Sequence, residues 1–226
     1  MTDANLYSDD LAVRYAASSE RPTRDTGDLW PLGCGGAANA FLALVGASPG
    51  GKTNTPDSVY EATGKPMRVG PEAMNFNWGD SREKKWTRFC SDMLGSAQYA
   101  RGLTALLNLA SQHSTNARRD LDFGEFGRSW TQSIWPVLKK ARPRIVCALM
   151  DSAWEAVLPT VRAARVPFAN NPYPAGLKHG PIVFRFPEAP WPAMAFQSYK
   201  HPNYMSREAT AEMGKACQWF LAQRGS

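Results

Sequence analysis

The sequence lacks the long apolar run that a membrane-spanning helix requires. Its longest apolar stretch, residues 40–47, includes Gly46 and falls far short of the ~20 residues of such a helix. The first residues, MTDANLYSDDLAV, are polar and acidic, without the basic start and apolar core of a signal peptide. These absences predict a cytoplasmic protein that does not associate with a membrane.

Cysteine is scarce and widely dispersed. The four cysteines lie far apart in the sequence, at Cys34, Cys90, Cys147 and Cys217. Zinc sites and iron–sulfur clusters usually contain at least one closely spaced cysteine pair, which this chain does not have. We therefore expect buried, reduced thiols, and neither a metal nor an iron–sulfur cluster.

Charged residues are also few, at 20% of the chain, whereas hydrophobic residues make up 43%. This composition excludes a disordered or collagen-like protein. The 226 residues are enough for one α/β domain with a buried core. We predict a single domain over residues 1–226, in which residues 1–37 form a polar lead-in. The net charge of +6 permits a polyanionic partner.

Short apolar runs alternate with helical patterns along most of the chain. The predicted strands are residues 40–45, 103–108, 145–150, 181–186 and 193–199. The predicted helices are residues 86–95, 126–141 and 152–164, and one that begins at Ser206. Such alternation predicts an α/β fold with a central, mainly parallel sheet. Ligands of these sheets bind at the carboxyl ends of the strands, so we expect the functional residues there.

The sequence also predicts two loops, a kink in one helix and the start of another helix. Residues 46–82 are rich in Gly, Pro, Asn and Asp and predict a long loop, and residues 112–126 predict a polar one. Pro136 predicts a kink in the helix over residues 126–141. Asp151 and Ser152 offer an N-cap, directly after the third strand, for a helix that runs to Ala164.

The segment after the first strand fits a phosphate-binding loop. Gly46-Ala-Ser-Pro-Gly-Gly-Lys-Thr53 matches G-x-x-x-x-G-K-[ST] letter for letter. Lys52 would then reach the outer phosphates, and Asp151 would supply the second Mg²⁺ element. A P-loop must run straight into a helix, however, and no apolar-periodic helix follows Lys52. A P-loop NTPase or kinase is therefore the alternative hypothesis.

The same segment is one of three that resemble motifs of the uracil-DNA glycosylase superfamily. Residues 46–50, Gly-Ala-Ser-Pro-Gly, resemble the first loop of that family. Residues 106–108, Leu-Leu-Asn, look like the strand whose terminal Asn reads the base. Residues 201–206, His-Pro-Asn-Tyr-Met-Ser, are similar to the family's H-P-S-x-L-S loop. Residues 142–157 resemble its third strand and following helix, so the resemblance covers most of the chain.

This resemblance implies a three-layer α/β/α sandwich with a central, mainly parallel twisted sheet. It also implies a monomeric DNA glycosylase that needs neither a metal nor a cofactor. Such an enzyme flips a damaged or deaminated base, uracil or a related one, out of the DNA and into a pocket. It then hydrolyses the N-glycosidic bond.

The resemblance further implies roles for individual residues. His201 would donate a hydrogen bond to the charge that develops on O2 of the base, and Ser48 would contact the attacking water. The base pocket would be formed by Asn108, Ala47 and Phe76, with Trp78 as another aromatic candidate. The residues expected to contact DNA are Gly50, Gly51, Lys52, Lys200, Asn203, Tyr204, Met205 and Ser206.

Met205 takes the place of the apolar wedge that the family pushes into the base stack. A core methionine at the start of a helix is the alternative interpretation. Tyr204 could stack on a base instead.

The first motif departs from the family at the positions that place or activate the attacking water. Active members usually have Asp, Asn or Glu where this chain has Ala47 and Ser48, and a serine is a poor general base near neutral pH. Asp57 and Glu61, in the same predicted loop, could supply a carboxylate. A nucleic-acid-binding or nucleotide-binding relative without chemistry is therefore a third hypothesis.

Overall fold

The computed structural model describes residues 41–47, 80–95, 104–109, 123–168, 181–198 and 200–223. Five strands in these segments form one sheet in the order β2-β1-β3-β5-β4. They are β1 (Leu42–Gly46), β2 (Thr104–Asn108), β3 (Ile145–Leu149), β4 (Ile182–Phe184) and β5 (Ala193–Ser198). All neighbouring pairs are parallel except the antiparallel pair of β4 and β5. The predicted α/β class and mainly parallel sheet are confirmed.

Helices connect most of these strands. They are α1 (Asp80–Leu94), α2 (Phe123–Ser129), α3 (Trp135–Ala141), α4 (Met150–Ala163) and α5 (Arg207–Ala222). A π-helical segment (Trp130–Ile134) joins α2 to α3, and a 3₁₀ turn (Pro202–Tyr204) precedes α5. None of the helices within the described ranges is both long and apolar enough to cross a membrane.

α1 and α2 begin earlier than the sequence predicts, as does α4, which starts at Met150. α1 starts at Asp80 rather than at residue 86, because the polar segment Asp-Ser-Arg-Glu-Lys-Lys that precedes Trp86 also favours a helix. α2 starts inside the predicted polar loop over residues 112–126, since Phe126 is buried one turn before Trp130. The remainder of that loop, most of the loop over residues 46–82 and the predicted lead-in lie outside the described residues.

Each face of the sheet has its own buried cluster, because alternate residues of a strand point to opposite faces. One cluster includes Val45, Val146, Ala195, Trp130, Val157 and Phe184. The other includes Leu44, Cys147, Phe196, Phe89, Met93 and Phe220. Every residue of β1, β3 and β5 is buried, which explains why these strands read as continuous apolar runs in the sequence.

A π-helical segment lies just before Pro136, where the sequence predicts a kink. The Trp135 N–H donates to the carbonyl of Trp130, which lies five residues earlier. A proline has no N–H to donate, and its ring clashes with the carbonyl four residues before it in a regular helix. The wider turn accommodates Pro136 while the helix continues to Ala141. Trp130 is fully buried there, and its Nε1 donates to Thr160 Oγ1 of α4 at 2.8 Å.

The prediction that Asp151 caps a helix is wrong. The N-cap of α4 is Leu149, whose side chain makes no capping hydrogen bond, and Met150 follows with a positive φ of 76°. This backbone turn starts the helix directly from the end of β3. Asp151 and Ser152 therefore lie inside the first turn of α4. The carboxylate of Asp151 accepts a hydrogen bond from Gln197 of β5 instead of capping the helix.

α5 lies closely against α1. A Cβ atom added at Gly214 would be 2.5 Å from the carbonyl oxygen of Asp92, so only glycine fits at this crossing. The Gln218 Nε2 donates to the same oxygen at 2.6 Å. The backbones of the two helices are therefore in direct contact at Gly214 and Asp92.

Cys90, Cys147 and Cys217 are buried thiols that form no disulfide with one another, as predicted. Burial raises the pKa of the Cys147 and Cys217 thiols, which keeps them protonated. Cys34 lies outside the described residues.

Candidate functional site at the carboxyl edge of the sheet

The four parallel strands end at one edge of the sheet. Gly46 at the end of β1 pairs with Asn108 at the end of β2, and the Leu109 N–H donates to the Gly46 carbonyl at 2.9 Å. Leu149 at the end of β3 likewise pairs with Ser198 at the end of β5. The segments that follow these strands therefore begin side by side, where parallel sheets bind their ligands.

The structure describes part of the predicted site. Six predicted residues are described with their side chains: Ala47, Lys200, His201, Tyr204, Met205 and Ser206. Asn108 and Asn203 are placed by their backbone, at the end of β2 and in the 3₁₀ turn. The remaining predicted residues lie outside the described part of the chain: Ser48, Gly50, Gly51, Lys52, Thr53, Asp57, Glu61, Phe76 and Trp78.

Ala47 and Asn108 follow adjacent strands. Ala47 is half-buried and packs against the cluster that includes Val45. Because Gly46 pairs with Asn108, the first motif begins next to the residue at which the predicted base-reading strand ends.

The loop between β5 and α5 folds through short-range hydrogen bonds. Ser198 Oγ donates to the carbonyl of Lys200 at 3.0 Å, and the Tyr204 N–H donates to the carbonyl of His201 at 2.8 Å. His201 is half-buried, and this burial lowers the pKa of its imidazole. The side chain is therefore mainly neutral near pH 7, as a histidine must be to keep one nitrogen as an acceptor.

Met205 and Tyr204 have opposite environments. Met205 is 7% exposed and belongs to the cluster around Phe196, so it is a core methionine rather than an exposed wedge. Its burial is explained by its position at the entry to α5, whose apolar face packs on the sheet. Tyr204 is 79% exposed, and its ring lies 6.0 Å from that of His201. Tyr204 is thus an exposed ring in the described part of this loop.

Ser206 is the N-cap of α5, as its sequence position predicts. Its Oγ accepts a hydrogen bond from the Ala209 N–H at 3.1 Å. Glu208 in the first turn has a lowered pKa, first because of a backbone hydrogen bond and then because of one with the Ser206 side chain. The hydroxyl of Ser206 is therefore already engaged by the helix start.

One pair of residues at this edge was missed by the sequence analysis. Gln197 of β5 is 1% exposed, and its Nε2 donates to Asp151 Oδ1 at 2.5 Å. Its Oε1 is buried and has no hydrogen-bond partner within the described segments. A polar residue inside the apolar run of β5 was the available signal, because a buried amide needs a specific partner.

Within the described segments, no group of three His, Cys, Asp or Glu side chains could hold a metal ion. Neither a protein-family model nor a curated protein sequence matches this chain.

Proposed function

We propose that this protein is a DNA glycosylase-like enzyme of the uracil-DNA glycosylase superfamily. It would flip a damaged or deaminated base, uracil or a related one, into a pocket and hydrolyse the N-glycosidic bond without a metal. The observation that carries this proposal is the common edge at which β1, β2 and β5 end. Of the three segments that resemble glycosylase motifs, residues 46–50 and 201–206 follow β1 and β5, and residues 106–108 are the last residues of β2. In the sheet β1 and β2 are neighbours, and β3 lies between β1 and β5.

The proposed fold is a three-layer α/β/α sandwich. Its support is the pair of buried clusters that use alternate residues of the sheet strands together with residues of helices. In such a fold the pocket opens at the carboxyl edge, between the loops that follow the strands.

The chemistry of the proposal matches the residue types at this edge. The amide of Asn108 offers one donor and one acceptor, which fit the O4 and N3–H edge of uracil. The neutral imidazole of His201 can donate to O2, where negative charge develops as the bond to the sugar breaks. Its lowered pKa supports this role, since the ring is then not held as a cation.

DNA would be held by positive charge and by one aromatic ring. Lys200 and Arg207 are exposed on either side of the 3₁₀ turn and would contact phosphates. Tyr204, as the exposed ring, would fill the gap that the flipped base leaves. Binding should therefore weaken as the salt concentration rises.

The experiment is a strand-cleavage assay on labelled single- and double-stranded oligonucleotides that carry uracil, hypoxanthine or xanthine. Alkali reveals abasic sites, and EDTA tests for a metal requirement. We expect cleavage that survives EDTA and falls ~100- to 1,000-fold in His201→Ala. Lys215→Ala changes an exposed cation on the outer part of α5 and serves as the matched control.

Other outcomes would contradict the proposal in distinct ways. Mg²⁺-dependent nucleotide binding that is lost in Lys52→Ala would indicate the P-loop alternative. Salt-dependent DNA binding without an abasic product from any substrate would indicate the binding-only relative.

A further inference from the structure

The first motif offers no carboxylate, yet one lies at the same edge of the sheet. Asp151 is the second residue after β3, and β3 lies between β1 and β5. Ala148 of β3 pairs with Val45 on one side and with Gln197 on the other. Asp151 is exposed, and it follows the strand that separates the first motif from the His201 loop.

The buried amide of Gln197 fixes this carboxylate. A side-chain amide without partners is costly in an apolar interior, at ~1–3 kcal/mol for each polar group left unsatisfied. One of the two polar groups of the Gln197 amide is satisfied, because Nε2 donates a hydrogen bond to Asp151 Oδ1. A hydrogen bond to a charged acceptor is stronger and more directional than a neutral one, so it orients the carboxylate.

The carbonyl oxygen of the Gln197 amide, Oε1, is the second group to consider, and it favours a bound ligand. Gln197 is only 1% exposed, and among the residues that the structure describes its Oε1 has no hydrogen-bond donor. The large majority of buried side-chain polar atoms in folded proteins have a hydrogen-bond partner, so an open acceptor calls for an explanation. An acceptor left open beside a fixed carboxylate suits a donor that arrives with the substrate or with its attacking water.

We infer that Asp151, oriented by Gln197, is the carboxylate that binds the attacking water in this enzyme and accepts a proton from it. It would take over the task that the first motif, with Ala47 and Ser48, leaves without an acid side chain. Asp151 is then a catalytic residue and Gln197 a positioning residue. This inference rests on the proposed glycosylase function.

The step balances as a simple hydrolysis. The bond between C1′ of the sugar and the base nitrogen breaks, and its electron pair stays on the base. The water oxygen bonds to C1′, and one water proton passes to the Asp151 carboxylate and then, through solvent, to the base anion. Before the proton moves, the negative charge of Asp151 also stabilises the positive charge that develops on the sugar, as carboxylates do in glycoside hydrolysis.

The test compares three variants in single-turnover excision assays. Asp151→Asn keeps an acceptor for Gln197 but removes the charge, and we expect the rate to fall at least ~100-fold. Gln197→Met keeps the volume but removes the donor, and we expect a ~10-fold slower rate with little change in DNA affinity. Glu155→Gln, an exposed carboxylate one turn further along α4, is the matched control and should retain the wild-type rate.

Two further readouts separate chemistry from folding. Thermal unfolding and oligonucleotide affinity should match the wild type in Asp151→Asn. Added formate should restore part of the rate in Asp151→Ala, because a small carboxylate can occupy the space of the missing side chain. A purely structural role would not respond to formate.

The outcomes separate the two proposals. If the wild type excises a base and Asp151→Asn excises it at the same rate as Glu155→Gln, the role of Asp151 is overturned and the glycosylase function stands. If the wild type excises no base from any substrate, the glycosylase function fails and the role of Asp151 fails with it.

Discussion

The rings of His201 and Tyr204 lie 6.0 Å apart and are tilted by 55° to each other. A backbone hydrogen bond from Tyr204 to His201 closes the turn that connects them. One short turn therefore presents a half-buried neutral imidazole next to an exposed aromatic ring. This arrangement separates a role in chemistry from a role in holding DNA, and each role can be tested by substitution.

Substitution of Tyr204 should weaken DNA binding. We expect Tyr204→Ala to lose the stacking energy of one base, ~1–3 kcal/mol, as measured by fluorescence anisotropy on a labelled oligonucleotide. Tyr204→Phe keeps the ring and should bind like the wild type. Met205→Ala should instead reduce stability by ~2–5 kcal/mol, because Met205 is in the core. Unchanged affinity in Tyr204→Ala would remove this residue from the DNA interface.

The lowered pKa of His201 predicts how stability depends on pH. In the window between that pKa and the ordinary value of 6.5, the unfolded chain binds more protons than the folded one. The free energy of unfolding therefore rises with pH across this window, and it falls as the medium is acidified. We expect the Tm of the wild type to decrease more steeply than that of His201→Gln from about pH 8 to pH 5. Parallel curves would show that His201 is not desolvated.

Gly214 and Gly127 form a matched pair of helical glycines. An Ala at position 214 would bring its Cβ to within 2.5 Å of a carbonyl oxygen of α1, so we expect Gly214→Ala to destabilise the protein by ~1–3 kcal/mol. At Gly127 nothing lies within 4 Å of an added Cβ, and Gly127→Ala should stabilise the protein by ~0.5–1 kcal/mol. Urea unfolding measures both. Equal effects would mean that α1 and α5 do not approach this closely in solution.

Ser206 tests whether the start of α5 contributes to DNA binding. Ser206→Ala should lose ~1 kcal/mol of stability, because the Ala209 N–H loses its acceptor. Ser206→Asp keeps the cap and should restore the stability, but its charge would repel a phosphate and weaken DNA binding at low salt. If both variants bind DNA like the wild type, Ser206 is a helix cap and nothing more.

The strands could be predicted from the sequence, and several features of the site could not. Strands buried on both faces are continuous apolar runs, and the serine that caps α5 stands where its helix begins. Pro136, however, indicates only that a regular helix is disturbed. The π-helical segment before it contains Trp130, whose Nε1 donates to Thr160, 30 residues away in the chain, and such a contact is not readable from the local sequence.

The surroundings of Asp151 at the carboxyl edge could not be predicted from the sequence either. An acid directly after a strand looks the same in the sequence whether it caps the helix or lies inside its first turn. The positive φ of Met150 decides between the two, and methionine rarely adopts this conformation. The partnership of Asp151 with Gln197 joins residues that are distant in the chain, so only the parallel pairing of β3 and β5 reveals it.

The three buried thiols provide a way to follow motions of the native protein. Cys90 lies in α1, Cys147 in β3 and Cys217 in α5, and all three belong to one cluster. An alkylating reagent can reach them only when a helix lifts from the sheet, so the rate of labelling at each cysteine reports a separate opening event. Slow labelling of Cys147 beside faster labelling of Cys217 would mean that α5, the helix attached to the His201 loop, opens while the sheet stays closed.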